Sequence, residues 1–591
     1  MFPDAALARI DIALIALYFA ASIIIALVLR RRAGGSTEEF FLSGRKLPWW
    51  LAGTAMVATT FAADTPLAVT EMVAKNGISG NWLWWNMVAG SVLTVFFFAK
   101  LWRRASILTD VEFIEIRYSG GSAAFLRGFK AIYLGVFMNV VIMGWVNLAL
   151  ASVLKVIFGI DDDRIFWYII GAMAVVALYS AISGLWGVAL TDMFQFVIAM
   201  AGCILLAVEV LDLPQIGGTS GLMDKLPAAL FRFFPSIGGG TAAATGVLTI
   251  SASAFIAHIA VQWWSSWYPG NEPGGGGYVA QRMMSAKNER HSLLATLWFA
   301  VAHYALRPWP WIVVALATLI LYPGLEHPRE AYLYAIRDHL PPGLRGFLIA
   351  AFLAAYMSTI ATHLNWGSSY LINDLYRRFI RKEATEKHYV LVSRAATILL
   401  MILSSLLIKV MSSITGAWEF IIECGAGLGL VLILRWYWWR LNAWSELTAM
   451  IVPIVVYGAA KGAAILGVNL PFMKFPESLF FIAGITTISW VVVTFITSPV
   501  ERERLESFYR LVRPGGPGWR GFHVTSGLPS DAPEPLTGPL IDWLLGMGVV
   551  YGTLFAIGKL IFHDYIRGFP LCAAATALFI ILTMRLRRNG K

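Results

Sequence analysis

The chain is poor in charged residues and in cysteine. Only 14% of its 591 residues are charged, whereas a soluble domain carries about 25%. Hydrophobic residues make up 58% of the chain and the mean hydropathy is +0.68, so we predict a protein that crosses a membrane many times. The three cysteines (Cys203, Cys424 and Cys572) all fall in apolar segments without disulfide spacing, which argues against a redox role.

The net charge of +11 does not indicate a nucleic-acid partner. The basic residues cluster in short segments between apolar runs, which is the pattern of membrane proteins with positively charged cytoplasmic loops. The arginines at 30–32 place the first loop in the cytoplasm and the N-terminus outside. Alternation from that point puts the C-terminal tail inside, and only the loop 323–345, with Arg329, Arg337 and Arg345, departs from the rule. We predict a multi-pass protein of the cell (inner or plasma) membrane that lies in the lipid bilayer and binds no nucleic acid.

About fifteen apolar runs have the length of a membrane helix, roughly 20 residues. They are the segments 8–29, 47–72, 81–101, 125–157, 165–185, 189–211, 245–268, 293–322, 346–372, 388–411, 415–435, 443–466, 476–497, 541–562 and 569–586. Residues 269–281, which are rich in glycine and proline, are expected to form a flexible loop between the seventh and eighth runs. Residues 500–538 are polar and are expected to be a cytoplasmic linker, because they are too few for a folded domain.

Two of the apolar runs contain polar stretches that a lipid-facing helix would not carry. Residues 58–66 read Ala-Thr-Thr-Phe-Ala-Ala-Asp-Thr-Pro, and residues 354–359 read Ala-Ala-Tyr-Met-Ser-Thr. A proline at position 66 interrupts a helix and frees backbone carbonyls, which at membrane depth must be satisfied by protein, water or an ion. Carbonyl and hydroxyl oxygens are the ligands that hard cations need. The two stretches therefore predict a cation site between two helices.

Five motifs along the chain resemble those of the sodium:solute symporter family. The residues that carry the resemblance are Glu38-Glu39-Phe40-Phe41-Leu42-Ser43-Gly44-Arg45 before Leu47-Pro48-Trp49-Trp50, Glu115-Ile116-Arg117-Tyr118, Gly184-Leu185-Trp186-Gly187-Val188 with Thr191, Asp192 and Gln195, Gln281-Arg282 with Ala286-Lys287, and Asp374-Leu375-Tyr376. The resemblance extends over about residues 35–445. It implies an all-α polytopic membrane protein with the leucine-transporter-like fold, in which two inverted repeats of five helices hold ion and solute at the membrane midplane. A proline-interrupted helix in the first half fits such a site.

This fold, with extra flanking helices, divides the chain into five parts. The parts are an N-terminal transmembrane helix (1–34), a ten-helix symporter core (35–440, with repeats at about 47–211 and 245–435), two further transmembrane helices (441–499), the cytoplasmic linker (500–538), and two C-terminal transmembrane helices with a basic tail (539–591).

The resemblance also implies a set of sodium ligands. These would be the backbone carbonyls of Ala58, Phe61 and Ala355 and the hydroxyls of Ser358 and Thr359. In the alternative interpretation, the two hydroxyls only bond back to carbonyls of their own helix. Thr60 departs from the family pattern, because relatives often have Asp or Asn at this position. The Thr60 hydroxyl supplies an oxygen, as Asp or Asn would, but it has neither a charge nor an amide group. The affinity for sodium and the number of sodium ions bound can therefore differ from those of relatives.

Six residues are candidate solute contacts. Asp64 is a carboxylate within a membrane segment, which marks function by default; its alternative role is to act as a cap or partner for the half-helix after the break. Arg307 would favour an anionic or carboxylate-bearing solute, or it snorkels or pairs with an acidic residue. Glu423 lies where relatives place solute-contacting or gating side chains. The remaining candidates, taken from the family pattern, are Thr60, Thr65 and Asn86.

Asp192 is predicted to act in gating or ion release, with a structural pair to a loop amine as its alternative. The function that follows is a sodium-coupled secondary active symporter, which imports a small organic solute by alternating access. Sodium is the coupling ion, no organic cofactor is expected, and the solute is an amino acid, a sugar or a carboxylate. A proton-coupled importer and a membrane sensor built on the transporter fold are the alternatives. An enzyme is not expected, because no nucleophile–base or metal constellation is visible.

Overall fold

The computed structural model describes residues 7–29, 42–107, 109–180, 185–237, 249–468, 470–522 and 535–588. Within these ranges the regular secondary structure is helical, apart from two short parallel strands, β1 (Ser236–Ile237) and β2 (Thr249–Ile250). Two parts of the sequence motifs, residues 38–41 and Gly184, lie outside the described residues.

The α-helices follow one another along the whole described chain. They are α1 (Arg9–Leu29), α2 (Trp49–Thr59), α3 (Asp64–Asn76), α4 (Trp82–Trp85), α5 (Val88–Leu93), α6 (Ala99–Ala105), α7 (Glu112–Arg117), α8 (Gly120–Ile132), α9 (Asn139–Phe158), α10 (Asp162–Ser180), α11 (Leu185–Leu211), α12 (Gly218–Lys225), α13 (Ala252–Ile256), α14 (Trp263–Ser265), α15 (Gly277–Ser285), α16 (Glu289–Val301), α17 (Pro308–Leu321), α18 (Ala331–His339), α19 (Leu344–Ser369), α20 (Glu386–Leu406), α21 (Ile414–Cys424), α22 (Leu428–Tyr437), α23 (Ala443–Ile465), α24 (Ser478–Ile496), α25 (Arg502–Val512), α26 (Thr537–Ile561) and α27 (Tyr565–Arg588).

Wider and tighter helical turns join several of these helices into longer ones. The π-helical turns are Thr94–Phe98, Tyr133–Met138, Ala257–Gln262, Ala302–Leu306 and Tyr370–Ile380. The 3₁₀ turns are Ser43–Arg45, Ile78–Asn81, Ala228–Phe231, Pro328–Glu330, Leu407–Lys409, Pro471–Met473 and Pro517–Trp519. Turns of the π type insert an extra residue and are frequent at functional sites.

Each predicted apolar run overlaps a helix or a series of helices. Among the described residues, 10 helices are long and apolar enough to cross a membrane, or up to 11 if the bent pair α21 and α22 forms one span. This number is below the fifteen predicted spans partly because some runs are broken: α2 has 11 residues and α3 has 13, and neither alone spans a bilayer core of about 30 Å.

The first interruption lies before Pro66 rather than at it. Helix α2 ends at Thr59, residues 60–63 lack a regular α-helical path, and α3 begins at Asp64. Pro66 is therefore the third residue of α3, where a backbone N–H would have no partner within the helix. The proline starts the second half-helix, and the carbonyls freed by the break belong to the end of α2.

A second interruption separates α14 from α15, and here the expected flexible loop is wrong. Residues 277–285 are helical, and the connecting segment is packed inside the protein, with Trp267 2% and Glu272 5% exposed. Gly270 has a φ of +79°, and a Cβ there would meet the Tyr278 hydroxyl at 1.9 Å. Glycine is required at that position on both counts. The composition predicted a flexible loop, but the segment is a buried helix break.

Two motifs that carry the family resemblance meet through ion pairs. Arg127 of α8 contacts the Glu115 carboxylate at 2.5 Å and the Asp374 carboxylate at 2.5 Å. Arg378 also pairs with Glu115. Glu115 belongs to the motif at the end of α7, and Asp374 belongs to the π-helical continuation of α19, so these two segments are held together on one face of the core.

The arginines that break the charge rule in the loop 323–345 are partnered within the protein. Arg345 is 6% exposed and pairs with Asp11 of α1 at 2.8 Å, which docks the N-terminal helix on α19. Arg329 donates to the Ser412 carbonyl at 2.7 Å, and Arg337 pairs with its neighbour Asp338. The charges of Arg337 and Arg345 are thus compensated by carboxylates, whereas Arg329 is held by neutral acceptors.

Helix α26 packs directly on the core through indole and phenol groups. Trp309 of α17 is 2% exposed and donates to the Leu554 carbonyl at 3.0 Å, and Tyr551 donates to the Trp85 carbonyl at 2.9 Å. Gly558 lies under the Trp309 ring, where a Cβ would approach a ring carbon to 1.9 Å. The C-terminal pair of helices is therefore part of the packed structure.

Gly558→Ala is expected to lower the melting temperature of the purified protein. Overpacking of this kind costs about 1–3 kcal/mol, because the buried Trp309 ring must move. Gly538→Ala in the first turn of the same helix is the matched control, since a Cβ there meets nothing within 4 Å. Equal melting temperatures for the two variants would contradict the packing of α26 on α17.

Candidate solute and ion site

A cavity of about 70 Å³ lies between the two helix interruptions. Residues of both breaks line it, together with side chains from α9, from the turn before α17, from α19 and from α21. The lining includes Thr59, Thr60, Asp64, Thr65, Trp84, Trp145, Tyr268, Gly270, Asn271, Tyr278, His303, Tyr304, Arg307, Thr359, His363 and Trp418. Mainly aromatic walls with a few converging polar groups are typical of a small-molecule site.

Arg307 is held by the end of the first broken helix. Its Nη1 donates to the Val57 carbonyl at 3.2 Å and to the Thr60 hydroxyl at 3.0 Å. The guanidinium lies 5.3 Å from the centre of the Trp311 ring. A cation at a helix C-terminus is stabilised by the unpaired carbonyls and the helix dipole. Arg307 is 1% exposed and forms no ion pair with an acidic residue of the described chain, so neither predicted structural alternative describes its contacts.

The two threonines of the first break link its halves. The Thr60 hydroxyl contacts the Val57 carbonyl at 2.7 Å and the His303 Nδ1 at 3.0 Å. The Thr65 hydroxyl donates to the Thr60 carbonyl at 3.4 Å. Thr60 thus lies at the centre of a polar group that joins α2 to the turn before α17.

Asp64 is the first residue of α3 and is 4% exposed. It does not cap the half-helix through a side-chain hydrogen bond, since the capping position is Ala63. Its Oδ1 is buried without a hydrogen-bond partner in the described protein. A carboxylate in the first turn of a helix is favoured by the positive end of the helix dipole. The Trp145 side chain and the backbone of Asp64 itself also hydrogen-bond to this carboxyl group, so the fold holds it without an ion pair.

Ser358 and Thr359 of α19 use their hydroxyl hydrogens differently. Thr359 donates to the Ala355 carbonyl of its own helix at 2.9 Å, as the alternative interpretation expected. Ser358 instead donates across to Asp192 of α11 at 3.0 Å. The Ala58 carbonyl, another predicted ligand, accepts the Phe61 amide at 2.9 Å.

This donor set fits a sodium ion in its chemistry. A hydroxyl that donates its hydrogen elsewhere keeps its oxygen lone pairs for a cation. Both Ser358 and Thr359 are in that state, and the other three predicted ligands are carbonyl oxygens. Oxygen-only coordination suits a hard cation. Among the described residues, no group of three or more His, Cys, Asp or Glu side chains could hold a metal ion.

Asp192 connects four helices behind this site. Besides Ser358, it accepts from the Thr59 hydroxyl of α2 at 3.4 Å and lies 3.7 Å from the Arg282 guanidinium of α15. Arg282 in turn donates to the Thr59 hydroxyl at 3.2 Å. Asp192 is 2% and Arg282 1% exposed. Two motifs of the family resemblance, at 191–192 and 281–282, therefore meet next to the end of α2.

Two predicted solute contacts lie away from the cavity lining. The Asn86 amide donates to the carbonyls of Trp82 and Leu83 within its own helical turn, at 2.7 and 3.0 Å. Glu423 accepts from the Ser478 hydroxyl of α24 at 2.5 Å. The other four candidates, namely Thr60, Asp64, Thr65 and Arg307, come together in one cavity.

Several lining residues were missed from the sequence. Tyr268, Asn271 and Tyr278 come from the second break, and the Asn271 amide donates to the Tyr304 hydroxyl. A signal was present: two glycine- and proline-interrupted apolar segments in corresponding halves of a chain point to a transporter site. His303 lies in a π-helical turn, which the sequence pattern does not mark.

Comparison with known proteins gives the same picture as the motifs. The model of the sodium:solute symporter family matches residues 40–453. A sodium/glucose cotransporter of Vibrio parahaemolyticus is 22% identical over 74% of this chain and 81% of its own. A high-affinity proline transporter of Bacillus subtilis (strain 168) is 24% identical over 76% of this chain and 92% of its own.

A solved structure shares the fold. The substrate-bound, outward-open state of a Na⁺-coupled sialic acid symporter superposes with a TM-score of 0.61 at 20% identity, over 84% of this chain and 99% of that one. The predicted all-α, leucine-transporter-like architecture is confirmed. The curated relatives are named as transporters and cotransporters, and this chain is a transporter rather than an enzyme. With the family model covering most of its length, the chain belongs to the sodium:solute symporter family.

Proposed function

We propose that this symporter carries a small organic solute into the cell together with sodium, and that both bind where the first helix break faces α19. The observation that carries the proposal is the cavity, which is lined by residues of both interrupted helices and by Thr359. Interrupted helices supply ion and solute sites near the bilayer midplane in transporters built from inverted repeats.

The sodium ion would be held by the carbonyls of Ala58, Phe61 and Ala355 and the hydroxyls of Ser358 and Thr359. The Asp192 carboxylate orients the Ser358 hydroxyl by accepting its hydrogen, which points the oxygen lone pairs away from Asp192. The carboxylate also lowers the electrostatic cost of bringing a cation close. Sodium is the coupling ion in this proposal, and no organic cofactor is needed.

Sodium bound between α2 and α19 would favour a state that is open to the outside, and solute would then bind in the cavity. Rocking of the helix bundle would expose both to the cytoplasm. Because coupling is reciprocal, sodium must tighten solute binding by the same factor by which solute tightens sodium binding. In this proposal the N-terminus lies outside the cell and the C-terminus lies in the cytoplasm. An inside-negative membrane potential favours the entry of sodium by about 2.3 kcal/mol per charge for each 100 mV.

A proton-coupled importer is the second candidate, because Asp64 is a buried carboxylate in the cavity with an unpaired oxygen. Such a group could accept a proton from outside and release it inside. In this alternative, protonation of Asp64 drives transport, and Ser358 and Thr359 have only a structural role.

The two candidates separate in proteoliposomes that contain the purified chain and a panel of labelled amino acids, sugars and carboxylates. We expect an inward sodium gradient at equal pH to drive accumulation of at least one panel member. An inward proton gradient at equal sodium should not drive it. We also expect sodium chloride, but not choline chloride, to raise the melting temperature, because a ligand that binds only the folded state stabilises it. Accumulation driven by the pH gradient alone would overturn sodium coupling.

A further inference from the structure

Two groups of opposite charge line the central cavity, and each leaves a buried polar atom without a partner. Asp64 is 4% exposed and Arg307 is 1% exposed, and both belong to the cavity wall. The Asp64 Oδ1 and the Arg307 Nε are buried without a hydrogen bond in the described structure. The two side chains attract each other electrostatically, but no ion pair within 4.0 Å joins them among the described residues.

Such an arrangement lowers the stability of the folded protein. Most buried polar groups in native structures are hydrogen-bonded, and a buried charge without a partner is strongly unfavourable. The cost is tolerated at sites where a ligand completes the pairing, and unpaired charges in a cavity are therefore candidates for ligand recognition.

The two ends of the broken helix favour the charged form of the group that each one holds. Arg307 is bound to the carbonyl end of α2 through Val57 and Thr60. Asp64 lies in the first turn of α3, at the positive end of that half-helix. Each side chain thus carries the charge that its helix end stabilises. A ligand in the cavity therefore meets a guanidinium at one place and a carboxyl group at another.

We propose that the transported solute is a small zwitterion, with its carboxylate on Arg307 and its ammonium group on Asp64. This inference rests on the proposed function, because it assigns the solute of the same site. A guanidinium suits a carboxylate through charge-assisted hydrogen bonds. A solute with only a carboxylate would leave Asp64 without a partner and would be repelled by it. A solute with only an amine would likewise leave Arg307 without a partner and be repelled by it. A sugar would neutralise neither charge.

The walls of the cavity suit the ammonium end of such a solute. The rings of Trp145 and Tyr268 are stacked with centroids 6.4 Å apart and planes at 6°, and Trp418 lies edge-on to Tyr268. Aromatic faces attract ammonium groups and exclude water, which strengthens the charged contacts. The volume of about 70 Å³ is far below the roughly 300 Å³ at which pockets for drug-sized ligands begin, which favours a compact solute.

The test uses the purified full-length chain in lipid nanodiscs and measures thermal shifts in sodium chloride and in choline chloride. The probes are the twenty standard L-amino acids, the amide of each, and the corresponding acids without the amino group, with glucose as the uncharged probe. We expect at least one amino acid to stabilise the protein in sodium. Its amide and its amine-free acid should each bind about 10- to 100-fold more weakly, as expected for the loss of one hydrogen-bonded charge.

Variants assign the two ends of the solute. Asp64→Asn should weaken binding of the amino acid about 10-fold or more, whereas the amine-free acid should bind at least as tightly as before, because its repulsion from the Asp64 carboxylate is removed. Arg307→Gln should weaken both. Glu419→Gln is the matched control, because Glu419 is a carboxylate on α21 that does not line the cavity, and it should bind all probes like the unchanged chain. The analogue series on the unchanged chain decides the question even where a variant fails to fold.

The proposal of a zwitterionic solute is overturned if an amine-free acid or glucose binds as tightly as the amino acid that binds best. It is also overturned if no amino acid binds in sodium, or if Asp64→Asn weakens the amine-free acid as much as the amino acid. In each of these cases the proposed function is still supported if a sodium gradient drives the uptake of some other labelled solute into proteoliposomes. The proposed function itself would be overturned if sodium neither raised the melting temperature of the unchanged chain nor drove the uptake of any solute.

Discussion

Sodium-driven uptake is expected to be lost when Ser358 and Thr359 are both replaced by alanine. The double variant removes two of the five proposed sodium ligands and leaves the three carbonyls. A hydrogen bond to a charged group contributes about 1.5–3 kcal/mol, and taking a cation ligand as comparable, the loss of two weakens sodium binding by more than about 100-fold. The measurements are the sodium concentration for half-maximal uptake and the sodium-dependent rise in melting temperature.

The protein itself should stay folded in this variant. Thr359 donates only within its own helix, and Asp192 keeps its contacts with Thr59 and Arg282 when Ser358 is removed. The matched control is Ser368→Ala with Ser369→Ala, another pair of adjacent hydroxyls on α19. Ser368 donates to the Asn365 carbonyl of its own helix at 3.2 Å, so sodium dependence should be unchanged there. Unchanged sodium dependence in the Ser358–Thr359 variant would refute the proposed ligand set.

The helices were predictable because long apolar runs have few alternatives in a membrane. Each backbone polar group must be satisfied within the bilayer, and a helix does this locally. Runs such as 443–466 and 541–562 therefore coincide closely with α23 and α26. The second break was predicted as a flexible loop because glycine and proline have the same local effect in a loop and in a helix break. Its burial depends on the helices around it, which local composition does not report.

The candidate site was predictable where a side chain carries the chemistry and less so where the backbone does. Asp64, Thr65 and Arg307 stood out as polar residues in apolar segments, and the structure places them in one cavity. The partner of Arg307 was not foreseen, because it is the Val57 carbonyl and every residue has a carbonyl. Glu423 was as conspicuous in the sequence as Asp64, yet it bonds to Ser478. Only the packing of α24 against α21 distinguishes these two carboxylates.

Substitutions at Asp192 and Arg282 can separate a structural role of Asp192 from a role in the passage of sodium. Asp192→Asn is expected to lower the melting temperature and to abolish sodium-driven uptake. It leaves the Arg282 guanidinium, which is 1% exposed, without its counter-charge, and breaking a buried pair costs about 3–5 kcal/mol. It also changes the group that accepts the Ser358 hydroxyl hydrogen, and with it the orientation of a proposed sodium ligand.

Adding Arg282→Gln to Asp192→Asn removes both charges, so the melting temperature should recover because no unpaired charge remains. Uptake should stay low if Asp192 acts on the ion. The matched pair is Asp11→Asn with Arg345→Gln, which neutralises the buried ion pair between α1 and α19. We expect it to keep sodium-driven uptake. Recovery of both stability and uptake in the Asp192–Arg282 double variant would mean that Asp192 is only a counter-ion for Arg282. Recovery of stability alone supports a role of Asp192 in holding or releasing sodium, because the structural cost has then been removed and the transport defect remains.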